Sequence, residues 1–240
     1  MNEKISVLIS SYNKNDLVAI HVRECMNSTR IPDEIIVVND GGTPDLRDKL
    51  SALNKKTKIL YAEILPPKIP WNYTGARNLG IWLSKGDFIS MEDDDHIPHK
   101  DFYTECLKTF EEHPEFGRIK SNKRWVVQIE DVLNKPVEEW KITGSRIPHR
   151  DVAMYRREVL LKIKGYDERF AGEYGWCCTD ICRRLIRSNI IEGNAGYQYV
   201  VFSEKTRGLS YRNFKLSKIQ QGTQSLSGIL NFTYKYEYLS

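Results

Sequence analysis

The ten most informative residues of this 240-residue chain are Gly86-Asp87-Phe88-Ile89-Ser90-Met91-Glu92-Asp93-Asp94-Asp95. Residues 88–91 have the composition and length of a buried strand, and four acids follow them directly. Side chains two positions apart in an extended chain point the same way, so Asp93 and Asp95 should face one crevice. Two such carboxylates repel each other unless a cation lies between them, and oxygen ligands suit Mg²⁺ or Mn²⁺. The acids from Glu92 to Asp95 therefore predict a divalent-metal site, with an acidic surface turn as the alternative.

Three more buried strands are predicted upstream of this run. Their apolar residues are separated by segments with a helical pattern. The predicted strands cover residues 5–9, 34–38, 58–62 and 88–91, and the predicted helices cover 16–28, 44–53, 74–83 and 100–112. Strands that alternate with helices predict an α/β fold with a doubly wound, mainly parallel sheet.

Polar loops follow three of these strands, at residues 10–13, 39–42 and 92–96. The carboxyl ends of parallel strands meet at one edge of a sheet, where such folds bind their ligands. We therefore expect the three loops to gather into one binding crevice.

The second half of the chain has a weaker pattern. Strands are predicted at residues 125–129, 152–155 and 197–202, and helices at 156–163 and 180–188. The change of pattern divides the chain into residues 1–112 and residues 113–240, which we expect to be two halves of one continuous domain.

The composition is that of a soluble globular protein, with 40% hydrophobic and 28% charged residues. It excludes extensive disorder, and the absence of a long apolar run argues against a membrane-spanning helix. The net charge of +4 fits an anionic ligand such as a nucleotide diphosphate. Five cysteines without framework spacing favour reduced thiols in a cytoplasmic protein. A zinc site at Cys177, Cys178 and Cys182 is the alternative, but it lacks a local histidine.

The last forty residues mix basic and aromatic side chains. This composition fits a polyanion-binding or sugar-binding segment, or a tail that packs its aromatic rings on the body. The residues concerned are Lys205, Arg207, Tyr211, Arg212, Phe214, Lys215, Lys218, Phe232, Tyr234, Lys235, Tyr236 and Tyr238.

Four segments together resemble family-2 glycosyltransferases. Residues 86–95 resemble their Gly-Glu-Tyr-Ile…Asp-x-Asp segment, and residues 5–13 resemble their opening strand, Ser-Val-x-Ile-x-x-Tyr-Asn. Residues 34–43 resemble Glu-Ile-Ile-Val-Val-Asp-Asp-Gly-Ser-Thr, and residues 75–80 resemble Ala-Arg-Asn-x-Gly. A weaker resemblance follows at residues 165–170, to Gly-Gly-Phe-Asp-Glu-x-Phe.

This resemblance implies a GT-A (Rossmann-like) fold with a mixed, mainly parallel sheet. It implies that residues 1–112 form the nucleotide-sugar-binding half, and that residues 113–240 form the acceptor-binding half with its basic aromatic C-terminal tail. It implies inverting transfer from a nucleotide-diphosphate sugar, a UDP-sugar above all, to an acceptor hydroxyl with Mn²⁺ or Mg²⁺. The acceptor would be a glycan, or a polymer such as modified nucleic acid or protein.

The resemblance also assigns residues. Tyr12 and Asp40 would hold the nucleobase, and Arg77 would contact the base or the diphosphate. Asp95 would ligate the metal. His96 would either hydrogen-bond to a metal ligand in the second layer around the ion or be a polar turn residue. The full donor-binding set would be Ser11, Tyr12, Asn13, Asp40, Arg77, Asp93 and Asp94, and the metal set Asp93, Asp95 and His149.

One departure concerns the general base. Relatives continue with Gly-x-Glu-Asp-x-Asp, where one acid takes the acceptor proton, but here both acids of the pair are Cys177 and Cys178. Asp180 and Glu173 are the remaining candidates, and a helix cap is the alternative role for Asp180. The histidine that completes the metal site in many relatives is also missing, which leaves Glu204 or His149.

Three other functions fit parts of this sequence. A nucleotidyltransferase shares the metal and the sheet but would carry a Gly-rich loop after the first strand, which residues 10–14 lack. A catalytically impaired nucleotide-sugar-binding relative fits the replaced acid pair. A nucleic-acid-binding domain rests only on the basic aromatic tail.

Overall fold

A computed structural model describes residues 3–65, 72–172, 175–202 and 234–239. Its strands are β1 (Ile5–Ser11), β2 (Glu34–Asn39), β3 (Lys58–Ile64), β4 (Phe88–Asp93), β5 (His96–Pro98), β6 (Phe116–Lys120), β7 (Lys123–Gln128), β8 (Gly144–Arg146), β9 (Ala153–Arg156), β10 (Ile191–Asn194), β11 (Tyr197–Phe202) and β12 (Tyr234–Leu239). Its α-helices are α1 (Asn15–Met26), α2 (Asp45–Ser51), α3 (Tyr73–Leu83), α4 (Phe102–Glu112), α5 (Ile129–Asn134), α6 (Arg157–Lys162) and α7 (Cys177–Arg187).

The main sheet has eight strands in the order β10-β6-β9-β4-β1-β2-β3-β12. The central strands β4, β1, β2 and β3 are parallel, whereas β9 and β12 run antiparallel to their neighbours. This arrangement confirms the predicted mixed, mainly parallel sheet. Ser10 lies beside Asp93, and Ser11 lies beside Asn39. The polar residues that end these strands are therefore level with one another at one edge.

Helices cover both faces of the main sheet, as a doubly wound fold requires. One core cluster packs α1, α2 and α4 against the sheet, and the other packs α3, α6 and α7 against the opposite face. Every residue of β1 is buried, which explains why its sequence is mainly apolar instead of alternating between apolar and polar residues. Gly80 allows a close approach between layers, because a Cβ there would lie only 1.9 Å from Leu8 Cδ1.

A smaller sheet, in the order β5-β11-β7-β8, lies beyond the acidic run. Trp125 of β7 stacks on Tyr197 of β11, with 4.6 Å between ring centroids. Within the described parts of the chain, no helix is both long enough and apolar enough to cross a lipid bilayer.

Two predicted boundaries in the second half are wrong. Helix α5 begins at Ile129, where the sequence predicted the end of a strand. Helix α7 begins at Cys177 rather than at Asp180, so Asp180 lies within its first turn. The residue before α7, Trp176, has a positive φ of 69° and provides no side-chain cap. No common helix-start signal therefore marks this position.

The basic aromatic tail is described only from Tyr234 to Leu239, which pairs with β3 as an edge strand. Tyr234 packs against Trp82 with ring centroids 6.0 Å apart, as expected for a tail that packs on the body. Residues 203–233, which include most of the tail's basic side chains and Glu204, lie outside the described residues.

Candidate active site

The three polar loops meet at the carboxyl edge of the main sheet, as predicted. Ser11 donates its hydroxyl proton to Asp94 Oδ2 over 3.2 Å, and Lys14 Nζ lies 2.7 Å from Asp94 Oδ1. Thr43 N–H donates to Asn13 Oδ1 over 2.9 Å, which joins the first loop to the second. Burial alone would lower the pKa of Lys14, but the nearby acids outweigh this effect and raise that pKa. The loops therefore form one continuous, charged crevice.

The acidic run divides between the two faces of the sheet, and Glu92 does not reach the crevice. Glu92 is fully buried, with Oε2 2.7 Å from His21 Nε2. Its Oε1 accepts hydrogen bonds from Ser90 Oγ (2.8 Å) and from the Tyr103 hydroxyl (2.9 Å). The prediction that all four acids form the metal site is therefore wrong for Glu92. Because side chains alternate between the two faces of the sheet along β4, the Glu92 side chain points into the core beneath α1.

Asp93 is held from below by Arg77, whose side chain is buried in this structure; its predicted contact with the donor stays a prediction. The Arg77 guanidinium is fully buried and donates to Asp93 Oδ1, which also accepts from the Tyr73 hydroxyl over 3.1 Å. Tyr73 lies under the guanidinium, with 4.6 Å from Arg77 Cζ to its ring centroid. Arg77 therefore orients Asp93 instead of facing the crevice.

Asp95 is oriented by His96, whose tautomer follows from its neighbours. Arg124 Nη1 lies 2.6 Å from His96 Nε2, and a guanidinium can only donate, so Nε2 accepts. The ring proton is then on Nδ1, which lies 2.7 Å from Asp95 Oδ1. His96 thus fits the predicted role in the second layer around a metal. Burial alone would raise the pKa of Asp95, but Lys14, His96 and His149 together outweigh this effect and that pKa is lowered.

The side-chain atoms that could ligate a metal at this edge of the sheet suit a divalent cation. Ligand atoms of Asp93, Asp95 and His96 lie within 4.8 Å of one another. The remaining oxygens have long contacts: Asp93 Oδ2 lies 3.7 Å from His96 Nδ1, and Asp95 Oδ2 lies 3.5 Å from Lys14 Nζ. Two carboxylate oxygens facing one crevice are the ligand type that Mg²⁺ and Mn²⁺ prefer.

His149 is not part of that close group, so its prediction as a third metal ligand is not supported by the geometry. Its Nδ1 lies 2.8 Å from Asp151 Oδ1, and its ring centroid lies 5.3 Å from that of His96. Burial alone would lower the pKa of His149, but Asp151 outweighs this effect and raises it. His149 therefore belongs to an ion pair beside the acids.

Asp151 is the residue of the site that the sequence did not reveal. It is fully buried, and Oδ2 accepts from the hydroxyls of Tyr73 (3.0 Å) and Tyr166 (2.9 Å). Met91 pairs with Ala153 in antiparallel register, so continuing that register by two residues brings Asp151 beside Asp93. The sequence does show that Asp151 comes two residues before the strand β9. That spacing places Asp151 beside Asp93 only once it is known that β9 runs antiparallel to β4.

Asp180 lies away from the crevice in a buried ion pair. It is only 2% exposed, and its Oδ2 accepts from Arg184 Nε over 2.8 Å. Arg184 Nη1 donates to the carbonyls of Ile163 and Gly165, each over 2.7 Å. Asp180 thus ties α7 to the preceding turn, and its predicted role as general base does not fit this position, because a base must reach the acceptor hydroxyl. The other candidate, Glu173, lies outside the described residues.

The cysteines that replace the acid pair begin α7 and approach the crevice. Cys177 Sγ and Cys178 Sγ are 3.8 Å apart, and Cys178 contributes a hydrogen bond to Asp151. The hydrogen bond with Cys177, together with burial, raises the pKa of Cys178. A protonated thiol therefore occupies the position where relatives are expected to carry a carboxylate.

The loop after β2 is organised by Asn39, where the family pattern has an acid. Its Nδ2 donates to the Tyr61 hydroxyl over 3.0 Å, and its Oδ1 accepts from Gly42 N–H over 2.8 Å. A carboxylate would provide the acceptor but not the donor. Asp40 follows, with its N–H donating to Ser11 O over 2.8 Å, and Tyr12 is 53% exposed beside it in the first loop. An open aromatic ring and a carboxyl group thus border the crevice.

The His149–Asp151 pair makes the stability of the protein depend on pH. The pKa of His149 is raised on folding, so its contribution is present below its unfolded value of about 6.5 and is lost as pH rises through the folded pKa. We expect the difference in Tm between the wild type and His149→Gln to shrink as pH is raised from about 6.5 into the alkaline range. Differential scanning fluorimetry across this range measures it. The control is His113→Gln, which removes a half-exposed histidine that pairs with Glu115 instead. The same trend in that variant would contradict the assignment to the His149–Asp151 pair.

Comparison with known proteins gives a consistent result. Residues 6–164 match the profile of glycosyl transferase family 2. An uncharacterized glycosyltransferase of Rickettsia bellii is 30% identical over 132 residues, which cover 52% of this chain and 19% of that protein. The probable glycosyltransferase YdaM of Bacillus subtilis is 25% identical over 187 residues, which cover 71% of this chain and 44% of that protein. The chain thus spans about a fifth of the first of these relatives.

Solved structures share the fold. The S. aureus TarS fragment 1-349 in complex with UDP-GlcNAc has a TM-score of 0.61 at 15% identity, covering 84% of this chain and 59% of that one. The mannosyltransferase PcManGT from Pyrobaculum calidifontis, in complex with GDP-Man and Mn²⁺, has a TM-score of 0.62 at 15% identity, covering 87% and 59%. These similarities confirm the predicted GT-A fold.

Proposed function

This chain belongs to glycosyl transferase family 2, and we propose that it transfers a sugar from a nucleoside-diphosphate sugar to an acceptor hydroxyl with inversion at C1. The observation that carries the proposal is the pair Asp93 and Asp95, held at the carboxyl edge of the sheet with the donor-side loops beside it. Family membership favours sugar transfer over nucleotidyl transfer. A donor-hydrolysis assay with a panel of nucleotide sugars, UDP-sugars first, tests it.

The donor would lie along the crevice between the first two loops. Tyr12 offers an exposed ring for the base, and Asp40 offers a carboxylate for its polar edge. Ser11 and Asn13 shape these loops through contacts to Asp94 and Thr43. The known complexes of structurally similar proteins, UDP-GlcNAc with TarS and GDP-Man with PcManGT, support this donor class.

A divalent cation, Mn²⁺ or Mg²⁺, would be held by Asp93 and Asp95. Such an ion neutralises the charge that develops on a departing diphosphate. The protein contributes the orientation of its ligands, since Arg77 and Tyr73 hold Asp93, and His96 holds Asp95. The complex of PcManGT with Mn²⁺ supports this choice of metal.

The acceptor hydroxyl would attack from the side of α7. A carboxylate must take its proton, and the buried ion pair of Asp180 leaves Glu173 as the proposed base of the two sequence candidates. The acceptor is proposed as a glycan, or as a polymer such as modified nucleic acid or protein.

A second candidate function is a nucleotide-sugar-binding protein that does not catalyse transfer. The observation that favours it is the protonated thiol of Cys178 in place of a carboxylate. Tight donor binding without any donor hydrolysis, with and without Mn²⁺, would support this candidate over the enzyme.

Asp40→Ala is expected to weaken nucleotide binding by about tenfold or more, because a hydrogen bond to a charged group contributes about 1.5–3 kcal/mol. Calorimetry with UDP and GDP in saturating Mn²⁺ measures the effect. Asp48→Ala removes a carboxylate that is exposed on α2 and serves as the matched control. Unchanged nucleotide affinity in Asp40→Ala would show that the base does not bind at this loop.

A further inference from the structure

A lysine already occupies the side of the acid pair that faces the first loop. Lys14, the residue before α1, places Nζ 2.7 Å from Asp94 Oδ1 and 3.5 Å from Asp95 Oδ2. Its side chain is 35% exposed, whereas that of Asp94 is 13% exposed. The ammonium thus lies between Asp94, which is mostly enclosed, and Asp95, whose side chain is 32% exposed.

This ammonium and a divalent cation conflict in position. A metal bound to Asp95 Oδ2 would lie about 2.0–2.2 Å from that oxygen. Since Lys14 Nζ is 3.5 Å from the same oxygen, the two cations would come within about 6 Å. Repulsion at this distance is weakly screened where the acids are enclosed. The ion would therefore bind more tightly if the ammonium moved away.

The other acids have their own partners, which makes Lys14 specific to Asp94 and Asp95. Arg77 neutralises Asp93, and His149 lies against Asp151. His96 donates to Asp95 as a neutral ring, given its contact with Arg124. Removal of the Lys14 charge would therefore leave two neighbouring carboxylates that attract a cation more strongly.

We propose that Lys14 is an exchangeable counter-ion: it neutralises Asp94 and Asp95 before the donor binds, and it moves to the donor's diphosphate when a divalent cation takes its place. The inference rests on the proposed function for the donor's diphosphate and the metal. A lysine suits this exchange, because its point charge sits on a flexible stem and binds phosphate as readily as carboxylate.

The test uses two binding measurements that should change in opposite directions. Mn²⁺ binding without nucleotide is followed by electron paramagnetic resonance of free Mn²⁺, and UDP binding in saturating Mn²⁺ is followed by calorimetry. We expect Lys14→Met to bind Mn²⁺ alone about tenfold more tightly and UDP about tenfold more weakly. Lys14→Arg should bring Mn²⁺ affinity back toward the wild-type value, because it keeps the charge.

Lys49→Met is the matched control. Lys49 forms an ion pair of the same 2.7 Å length with Asp16 on the surface, and its removal should change neither affinity. Unchanged or weaker Mn²⁺ binding in Lys14→Met would overturn the proposal, as would the absence of Mn²⁺ binding in both proteins. Opposite shifts without any sugar transfer would support the role of Lys14 while contradicting the proposed enzyme.

Discussion

Asp95→Asn is expected to abolish Mn²⁺ binding and to reduce donor turnover by about 1000-fold, because a cation at a developing diphosphate charge contributes several kcal/mol. An amide keeps the shape of the side chain and an oxygen that accepts from His96 Nδ1, but it loses the charge that attracts the ion. The Asp95 side chain is 32% exposed, so the change should leave the fold intact. Metal titration, donor hydrolysis and a thermal melt on the same preparation measure the three effects.

The control for this variant is Asp16→Asn, at an exposed carboxylate that also pairs with a lysine. It should leave Mn²⁺ binding and turnover unchanged. Full turnover in Asp95→Asn, or in wild-type protein with excess EDTA, would contradict the metal hypothesis. A melt far below that of the wild type would instead show that Asp95 supports the fold.

The first half of the fold could be predicted because its strands are buried on both faces. In β1, β2 and β4 nearly every residue is covered, so each strand reads as a mainly apolar run, interrupted only by a small serine in β1 and in β4. Parallel pairing then places the polar residues after these strands at one edge, whatever the exact register. The crevice between the loops followed from this geometry alone.

The inner wall of the site could not be predicted in the same way. The contact of Asp93 with Asp151 through Tyr73 depends on β9 running antiparallel to β4, and no local pattern reveals strand direction. The burial of Arg77 likewise depends on two rings, those of Tyr73 and Tyr166, that come from distant segments. Family resemblance assigned Arg77 to the donor, but packing determines which way its guanidinium points.

Two neighbouring acidic residues can also differ in role, because different side chains surround them. Glu92 and Asp93 are neighbours in the acidic run, yet one is fixed in the core by His21 and the other faces the crevice. Strand alternation predicts that they point to opposite sides. It does not predict that the core side carries a histidine able to satisfy a buried carboxylate.

Asp180→Asn should act on stability and not on chemistry. The change leaves the Arg184 guanidinium buried without its carboxylate, and breaking a buried pair in this way costs about 3–5 kcal/mol of unfolding free energy. Urea denaturation measures this loss. Asp180→Leu combined with Arg184→Leu should recover part of it, because neither charge is then buried alone.

The decisive comparison is between Asp180→Asn and Glu173→Gln under conditions where both proteins are folded. Glu173→Gln should reduce transfer by about 100-fold or more with unchanged nucleotide affinity, as the loss of a general base requires. Asp180→Asn should keep transfer within a few fold of the wild type, since Oδ2 already accepts from Arg184 within a 2%-exposed side chain. The reverse result would be a stable Asp180→Asn protein that binds nucleotide but does not transfer the sugar. It would show that Asp180 on α7 is the general base. It would also mean that the ion pair opens when the acceptor binds, because Asp180 Oδ2 is buried and accepts from Arg184 in its present position.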